Sequence, residues 1–360
     1  MSIPTAYFED LCPQPFPNDV PTAPLESISL AQLVAGDAAA VQRVGHAMRH
    51  IGFFYLDLRG HEVGMELLRE ASECCRLIKD TLVGLPVELK EQYKIREELG
   101  AFDRGYIAKK NPADGSALHE TYNMPAKELM ADPPAQVLPP WLATHEATFQ
   151  SALQHASEVA ATLLRIFERD LGLRAGALQE LHDITQPSGT FLRLLRYPGK
   201  PAERAHLDDE LTFPAHKDYS TVSLLFNWLG GLQVQRSTSL GHAPDARDDV
   251  PADDWVWVRP QPGHLLVNGG WMLEILTNRV MRAGWHRVVN APGSQAPFDK
   301  LSVLFGMRPK DVAPMRALDE AVGLEGDVLN AKEWTAQGIR RFIQRVGQEE
   351  KSLLPDIGRK

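Results

Sequence analysis

The stretch "FPAHKDYSTVSLLFNW", residues 213–228, decides how this chain is read. His216 and Asp218 stand two apart, just before the apolar, β-rich run Thr221–Phe226. Residues i and i+2 of a strand point to the same face, so the imidazole and the carboxylate can converge while Lys217 turns away. Downstream, "RAGWHRVVN" carries His286 in a second β-like run, which supplies a third group from a different strand. Two imidazoles and one carboxylate on one face of a metal leave three positions open. That ligand set suits Fe(II) and leaves room for a co-substrate and dioxygen. A lone H-x-D is common by chance, and its other reading is a hydrogen-bonded pair at a strand entrance. The surroundings have to decide between the two.

From residue 190 onward the chain is a series of short β-branched or aromatic runs separated by Gly and Pro. They are "TFLRLLRY", "TVSLLFNW", "GGLQVQ", "WVWVRP", "GHLLVNGG" and "KLSVLFGM", a pattern that predicts a sandwich or barrel. Segment 236–254 is polar and reads as a surface insertion. The first third reads as helices around one strand, "FFYLDL" (53–58). Asp37 caps a helix carrying Val41, Val44 and Met48, and a longer helix from about Val63 to Leu82 presents Leu67, Ala71, Cys74 and Ile78 on its inner stripe. "LPVELKEQY" (85–93) starts a short helix. Residues 100–140 read as loop with one strand near His119–Met124. An amphipathic helix follows over Ala147–Leu171, capped by Gly172, and a last helix covers 335–354 with Ile339, Phe342, Ile343 and Val346 on one side. The expectation is one domain over 1–360, with a helical N-terminal part to about 180, a β core over about 190–310 and a helical tail over about 315–360.

With 38 basic and 47 acidic residues the formal net charge is −9, which argues against a nucleic-acid or anionic-membrane partner. No apolar run approaches the roughly 20 residues that cross a bilayer, and the first residues lack the basic and apolar regions of a secretory signal. Three cysteines, two of them adjacent, make no disulfide framework, so a reducing cytoplasm is expected. Cys74 and Cys75 read as a buried thiol beside a boundary one. A monomer acting on a small molecule is the expectation for partners.

"GFFYL" (52–56), "LPVELKEQY" (85–93), "RGY" (104–106), "LRLLRYP" (192–198), "AHKDYSTVSLLF" (215–226), "GGLQV" (230–234), "PGHLLVN" (262–268), "LTN" (276–278), "HRVVN" (286–290) and "LSVLF" (301–305) occur in this order. At these points, from about residue 25 to 310, the sequence resembles the isopenicillin N synthase-like family of Fe(II)- and 2-oxoglutarate-dependent oxygenases. The resemblance implies a mainly β fold with flanking helices around a double-stranded β-helix, or jelly roll. It implies His216, Asp218 and His286 as iron ligands, and 2-oxoglutarate and O2 as co-substrates. The implied reaction is hydroxylation, desaturation or rearrangement at an unactivated C–H of a small molecule, with release of succinate and CO2. Asp218 occupies the position that related halogenases leave without a carboxylate.

The chain departs from the family at the co-substrate anchor. The family's Arg-x-Ser reads Lys300-Leu301-Ser302 here. The two outer residues share a face, so both can meet a carboxylate, with lysine as a point charge in place of a bidentate fork. Tyr197 matches a family position that often contacts a carboxylate, and the Asn often found two residues before it is Leu195. Arg193, on the same face, is a second candidate, either assisting Lys300 or binding the substrate. Gly284 stands where the family often has a larger residue and would open space near the metal. The altered anchor motivates one alternative, an oxidase of this family that works without 2-oxoglutarate; a second, of another class, is an inactive jelly roll that only binds a ligand or partner protein, and the intact triad argues against it. His46 and His50, spaced i, i+4, read as a solvated helix face.

Overall fold

The computed structural model describes residues 11–94, 104–111, 115–132, 134–135, 138–200, 211–236, 254–318 and 328–352. His206, His242 and almost all of the 236–254 insertion lie outside them.

Among the described residues twelve strands form two sheets. They are β1 (Ser27–Ser29), β2 (Phe53–Asp57), β3 (Gly105–Lys110), β4 (Ala117–Pro125), β5 (Phe191–Tyr197), β6 (Leu211–His216), β7 (Val222–Asn227), β8 (Leu232–Gln235), β9 (Trp255–Trp257), β10 (His264–Gly269), β11 (His286–Val289) and β12 (Lys300–Met307). The large sheet runs β1-β2-β10-β7-β12-β5-β4-β3 and the small one β6-β11-β8-β9. This is a jelly roll whose large sheet is widened at both edges by strands from the N-terminal part.

Alternation along the strands sorts the core into two layers. On β12, Leu301, Val303, Phe305 and Met307 face outward into the main hydrophobic core, under two long helices. These are α2 (Glu62–Ile78) and α3 (Glu146–Leu171). The inward face carries Leu195, Tyr197, Leu232, Val234, Val288 and Leu266, which fill the space between the sheets. The helix N-terminal to both, α1 (Ala38–His50), is capped by the Asp37 carboxylate accepting from the Ala40 N–H, as its sequence predicts. Gly172 ends α3 in the left-handed conformation (φ 66°), which glycine adopts without strain.

The structure corrects four sequence readings. The segment read mostly as loop holds the β3–β4 hairpin, which pairs onto β5. Its polar composition hides it, because β3 is an edge strand, where lysines such as Lys109 and Lys110 are tolerated and discourage further pairing. The helix read to Leu82 ends at Ile78 and continues as a π-turn over Lys79–Val83. Both Cys74 and Cys75 are buried, and neither is a boundary residue. The last helix, α5 (Ala331–Ser352), turns Ile343 outward at 47 % exposure, so its apolar stripe is only partly covered.

A buried ionic cluster ties the helical layer to the β3–β5 edge. Glu120 accepts from Lys90 Nζ at 2.5 Å, from Arg196 Nη1 at 2.5 Å and from the Tyr106 hydroxyl. Arg196 also donates to Asp299, and both cations donate to the Leu82 carbonyl, at the π-turn. Breaking a buried pair leaves an uncompensated charge. Glu120→Ala therefore lowers stability by about 3 kcal/mol or more, read from the denaturant midpoint. An unchanged midpoint would contradict this role for the cluster.

Candidate active site

Strand β6 lies at the edge of the small sheet, which is why it accepts Pro214 in its interior. Its last residue, His216, is the direct partner of His286 at the start of β11. The strand ends there, so Asp218 sits in the following turn and not on the strand itself. The turn still delivers the carboxylate to the same point. Asp218 Oδ1 is 3.5 Å from His216 Nε2 and 3.5 Å from His286 Nε2, and one ligand atom from each residue falls within 4.8 Å of the others. Among the described residues this is the one such group of His, Cys, Asp and Glu.

The rest of each side chain is committed elsewhere. His216 Nδ1 donates to the Pro214 carbonyl at 2.9 Å and His286 Nδ1 donates to the Gly284 carbonyl at 3.1 Å, which leaves each Nε2 as the lone-pair nitrogen. Asp218 Oδ2 accepts from Ser223 Oγ at 2.7 Å and Asn268 Nδ2 at 2.9 Å, which leaves Oδ1 for the site. Burial works to raise the Asp218 pKa, but attraction to His286 and contacts with both imidazoles hold it well below the carboxylate range. Burial lowers His216, reinforced by His286, while Asp218 outweighs burial at His286 and raises it. The donor set fits Fe(II): two neutral-capable imidazoles and one ionised carboxylate, oriented by outer hydrogen bonds.

Sequence reasoning misses Ser223 and Asn268. Their signal is a polar residue at an inward position of an otherwise apolar run, in "TVSLLF" and "LLVNGG".

Lys217 points away, as i+1 should, toward Glu274 and the ring of Trp271 in α4 (Trp271–Leu276). Trp271 packs against Tyr219 and Trp334 and does not line the site. Gly284 does not open space near the metal group, because a Cβ there would run into the Phe53 ring. Phe53 fills that space and packs edge-on against His286 at 5.6 Å.

The other end of the barrel interior holds Lys300, 4 % exposed, and Ser302, 2 % exposed. Lys300 lies directly across from Tyr197. Its Nζ donates to the Leu229 carbonyl at 3.2 Å, and burial pushes its pKa down to about 7, against a small opposing effect of Cys75. Gly231 (φ 111°) makes room for it, since a Cβ there would stand 3.1 Å from Lys300 Cδ. Ser302 Oγ is buried without a hydrogen-bond partner. A buried lysine beside an orphaned hydroxyl fits the carboxylate of a small diacid. Arg193 is not beside Lys300. It pairs with Leu304, four residues along β12 and so about 13 Å away along the strand. Its Nε donates to Asn123 Oδ1 at 2.5 Å, and its guanidinium lies 4.5 Å from the Phe191 ring, on the side away from Lys300.

Helix α5 covers the mouth. The Tyr219 hydroxyl donates to the Gly338 carbonyl at 2.8 Å and Arg345 Nη2 donates to the Ala215 carbonyl at 2.7 Å. Phe342 stacks on Phe213 and reaches within 6.0 Å of the His216 ring. On the opposite wall His119 of β4 packs against Phe213 at 5.1 Å, with Nδ1 at 3.2 Å from the Thr212 carbonyl.

A jelly roll with two imidazoles and a carboxylate converging at its mouth fits a non-haem iron oxygenase. The sequence profile of the 2OG-Fe(II) oxygenase superfamily matches residues 190–309. Over 96 % of this chain and 94 % of the relative, the sequence is 42 % identical to a 2-oxoglutarate-dependent dioxygenase of Aspergillus fumigatus. The chain belongs to the 2OG-Fe(II) oxygenase superfamily and is an Fe(II)/2-oxoglutarate-dependent dioxygenase. Among solved structures it is similar to a full-length Neurospora crassa protein in complex with alpha-KG and thymine, at 18 % identity and TM-score 0.69, over 91 % of this chain and 100 % of that one. It is also similar to JOX2 in complex with 2OG, Fe and JA, at 21 % identity and TM-score 0.64, over 93 % of this chain and 88 % of that one. Among the described residues no helix is long and apolar enough to cross a membrane.

A Cβ at Gly338 would run into the Tyr219 ring. Gly338→Val therefore unseats α5, and amide exchange over residues 331–347 speeds up while the β core stays protected. Unchanged exchange in the helix would contradict its docking through Tyr219.

Proposed function

We propose that His216, Asp218 and His286 hold Fe(II), and that Lys300, with Ser302 and Tyr197, takes the distal carboxylate of 2-oxoglutarate. The single observation that carries this is the convergence of three ligand atoms at the open end of the barrel, each with its remaining polar atom already bound. At the iron, dioxygen would be the oxidant of the C–H bond, with 2-oxoglutarate giving two electrons and leaving as succinate and CO2. The chain's own work is to orient the two co-substrates along the inward face and to close the mouth against water with α5 and the Phe213–Phe342 stack. The substrate is a small molecule entering under α5, and Arg193, at the metal end, lines its path; thymine and JA, bound by the two neighbours above, are molecules of that size class. We read residues 1–360 as one oxygenase domain. Neither the oxidase nor the inactive alternative is favoured, because the superfamily and the Aspergillus fumigatus relative point to 2-oxoglutarate use.

His286→Ala abolishes turnover and weakens Mn(II) binding while the melting temperature stays near that of the wild type; full activity in this variant would sink the ligand assignment. Lys300→Ala weakens 2-oxoglutarate on the order of tenfold to a hundredfold, the size of a charge-assisted hydrogen bond. Arg193→Ala leaves 2-oxoglutarate affinity unchanged. The reverse outcome would move the anchor to Arg193.

The Lys300 anchor also sets a pH dependence. In the free protein its pKa sits near 7, below the ordinary 10.5, so between these values the folded state binds fewer protons than the unfolded state. The penalty of burying this charge is full below pH 7 and fades as pH rises toward 10.5. The carboxylate binds the protonated lysine, so 2-oxoglutarate binding at pH 8 takes up a proton and weakens as pH rises above about 7. Calorimetry in buffers of different ionisation enthalpy measures that proton; no uptake at about pH 8 would contradict the assignment.

A further inference from the structure

Lysine at 300 and leucine at 195 leave the anion end of the barrel short of donors relative to the family pattern. An arginine fork has become a point charge, and a side-chain amide has become an alkyl group. The structure holds two amides that match this deficit, Asn290, which is buried, and Asn227, which is half-buried with its Nδ2 buried. Ser302 is the direct partner of Leu195 on one side and of Asn227 on the other, so the three lie in one row across β5, β12 and β7. On β7, Val222, Leu224 and Phe226 enter the outer core, which turns Ser223 and Asn227 inward beside Ser302. On β11, His286 and Val288 face inward and Val289 outward, so the alternation turns Asn290 inward too. Its two chain neighbours, Val289 and Ala291, flank Gly231, the residue that makes room for Lys300 Cδ. Asn227 Nδ2, Asn290 Nδ2 and Ser302 Oγ are all buried without a hydrogen-bond partner. Three orphaned donors on the elements next to Lys300 are an arrangement that folding alone disfavours, because each unmet donor carries a desolvation penalty.

Building on the Lys300 reading above, we propose that Asn227 and Asn290 are further donors to the distal carboxylate of 2-oxoglutarate, making up for the donors missing at 300 and 195. An ionised carboxylate offers about four lone-pair sites, enough for the ammonium, the hydroxyl and both amides. Asn290 is the first residue past β11, four on from His286, which at extended spacing is roughly 13 Å. A metal–ligand bond, a five-carbon diacid and the reach of these side chains span that length.

The test is the dissociation constant of 2-oxoglutarate, and of 2-oxopentanoate, which lacks the distal carboxylate. It is measured by calorimetry on full-length protein loaded with redox-inert Mn(II). Asn227→Asp and Asn290→Asp keep the shape but face the co-substrate with a like charge, so each weakens 2-oxoglutarate more than tenfold and leaves 2-oxopentanoate and Mn(II) within about twofold. Asn227→Leu and Asn290→Leu weaken 2-oxoglutarate severalfold but raise the melting temperature of the co-substrate-free protein, because an orphaned donor has been removed. A structural asparagine, or one that only holds buried water, would lower stability on replacement and leave the preference for 2-oxoglutarate over 2-oxopentanoate intact; that result overturns the proposal. Lys300→Ala is measured alongside. If it erases the preference and the asparagine variants do not, the lysine anchor stands and the amide donors fall. If none of the variants changes the preference, both readings fall.

Discussion

Everything at the mouth of this barrel depends on one cross-strand pair, His216 of β6 against His286 of β11. Antiparallel pairing fixes the distance between the two imidazoles, with ring centroids 4.1 Å apart. Backbone carbonyls two residues upstream of each ring hold both Nδ1 atoms, so the ladder that places the rings also sets their tautomers. The carboxylate is the less regular member. It lies in the turn past the strand end and is fixed by Ser223 and Asn268, from β7 and β10, so two strands of the large sheet meet two strands of the small sheet at a single point.

The same construction links the metal group to its cover. Tyr219 follows Asp218 directly and binds the Gly338 carbonyl of α5, while Ala215, just before His216, accepts from Arg345 of the same helix. The residues flanking the H-x-D pair thus carry the helix whose Phe342 closes over it. At the far end the logic is reversed. Packing leaves polar groups unmet there: a lysine with one carbonyl contact, a serine with none and two amides with no partner for their donors. These are the groups assigned above to the proposed carboxylate subsite. It lies on the inward face of β12 and β7 and just past the end of β11, while the outward faces of β12 and β7 are packed under the long helices.

The convergence of His216, Asp218 and His286, the β core and the long helices are legible in the sequence because each rests on a strong local period or on the ordered series of motifs. The β3–β4 hairpin is not, since an edge strand with lysines looks like loop until its partner strand is known. Gly284 misleads because a missing side chain suggests space, and only the tertiary structure shows Phe53 occupying it. Arg193 shares a face with Tyr197, but face alone does not say how far along the strand a group acts, and register separates it from Lys300. Asn227 and Asn290 close the motifs "SLLFN" and "HRVVN". A polar residue at the inward end of an apolar run is the available clue, and it becomes meaningful only when the rows across the sheet are known.

The most direct test is a crystal structure obtained without oxygen in the presence of Mn(II) and 2-oxoglutarate. The account predicts an anomalous peak bound by His216 Nε2, Asp218 Oδ1 and His286 Nε2, with the diacid chelating it and ending at Lys300 and Ser302. A metal held by other residues, or a diacid whose far carboxylate ends at Arg193, would contradict it.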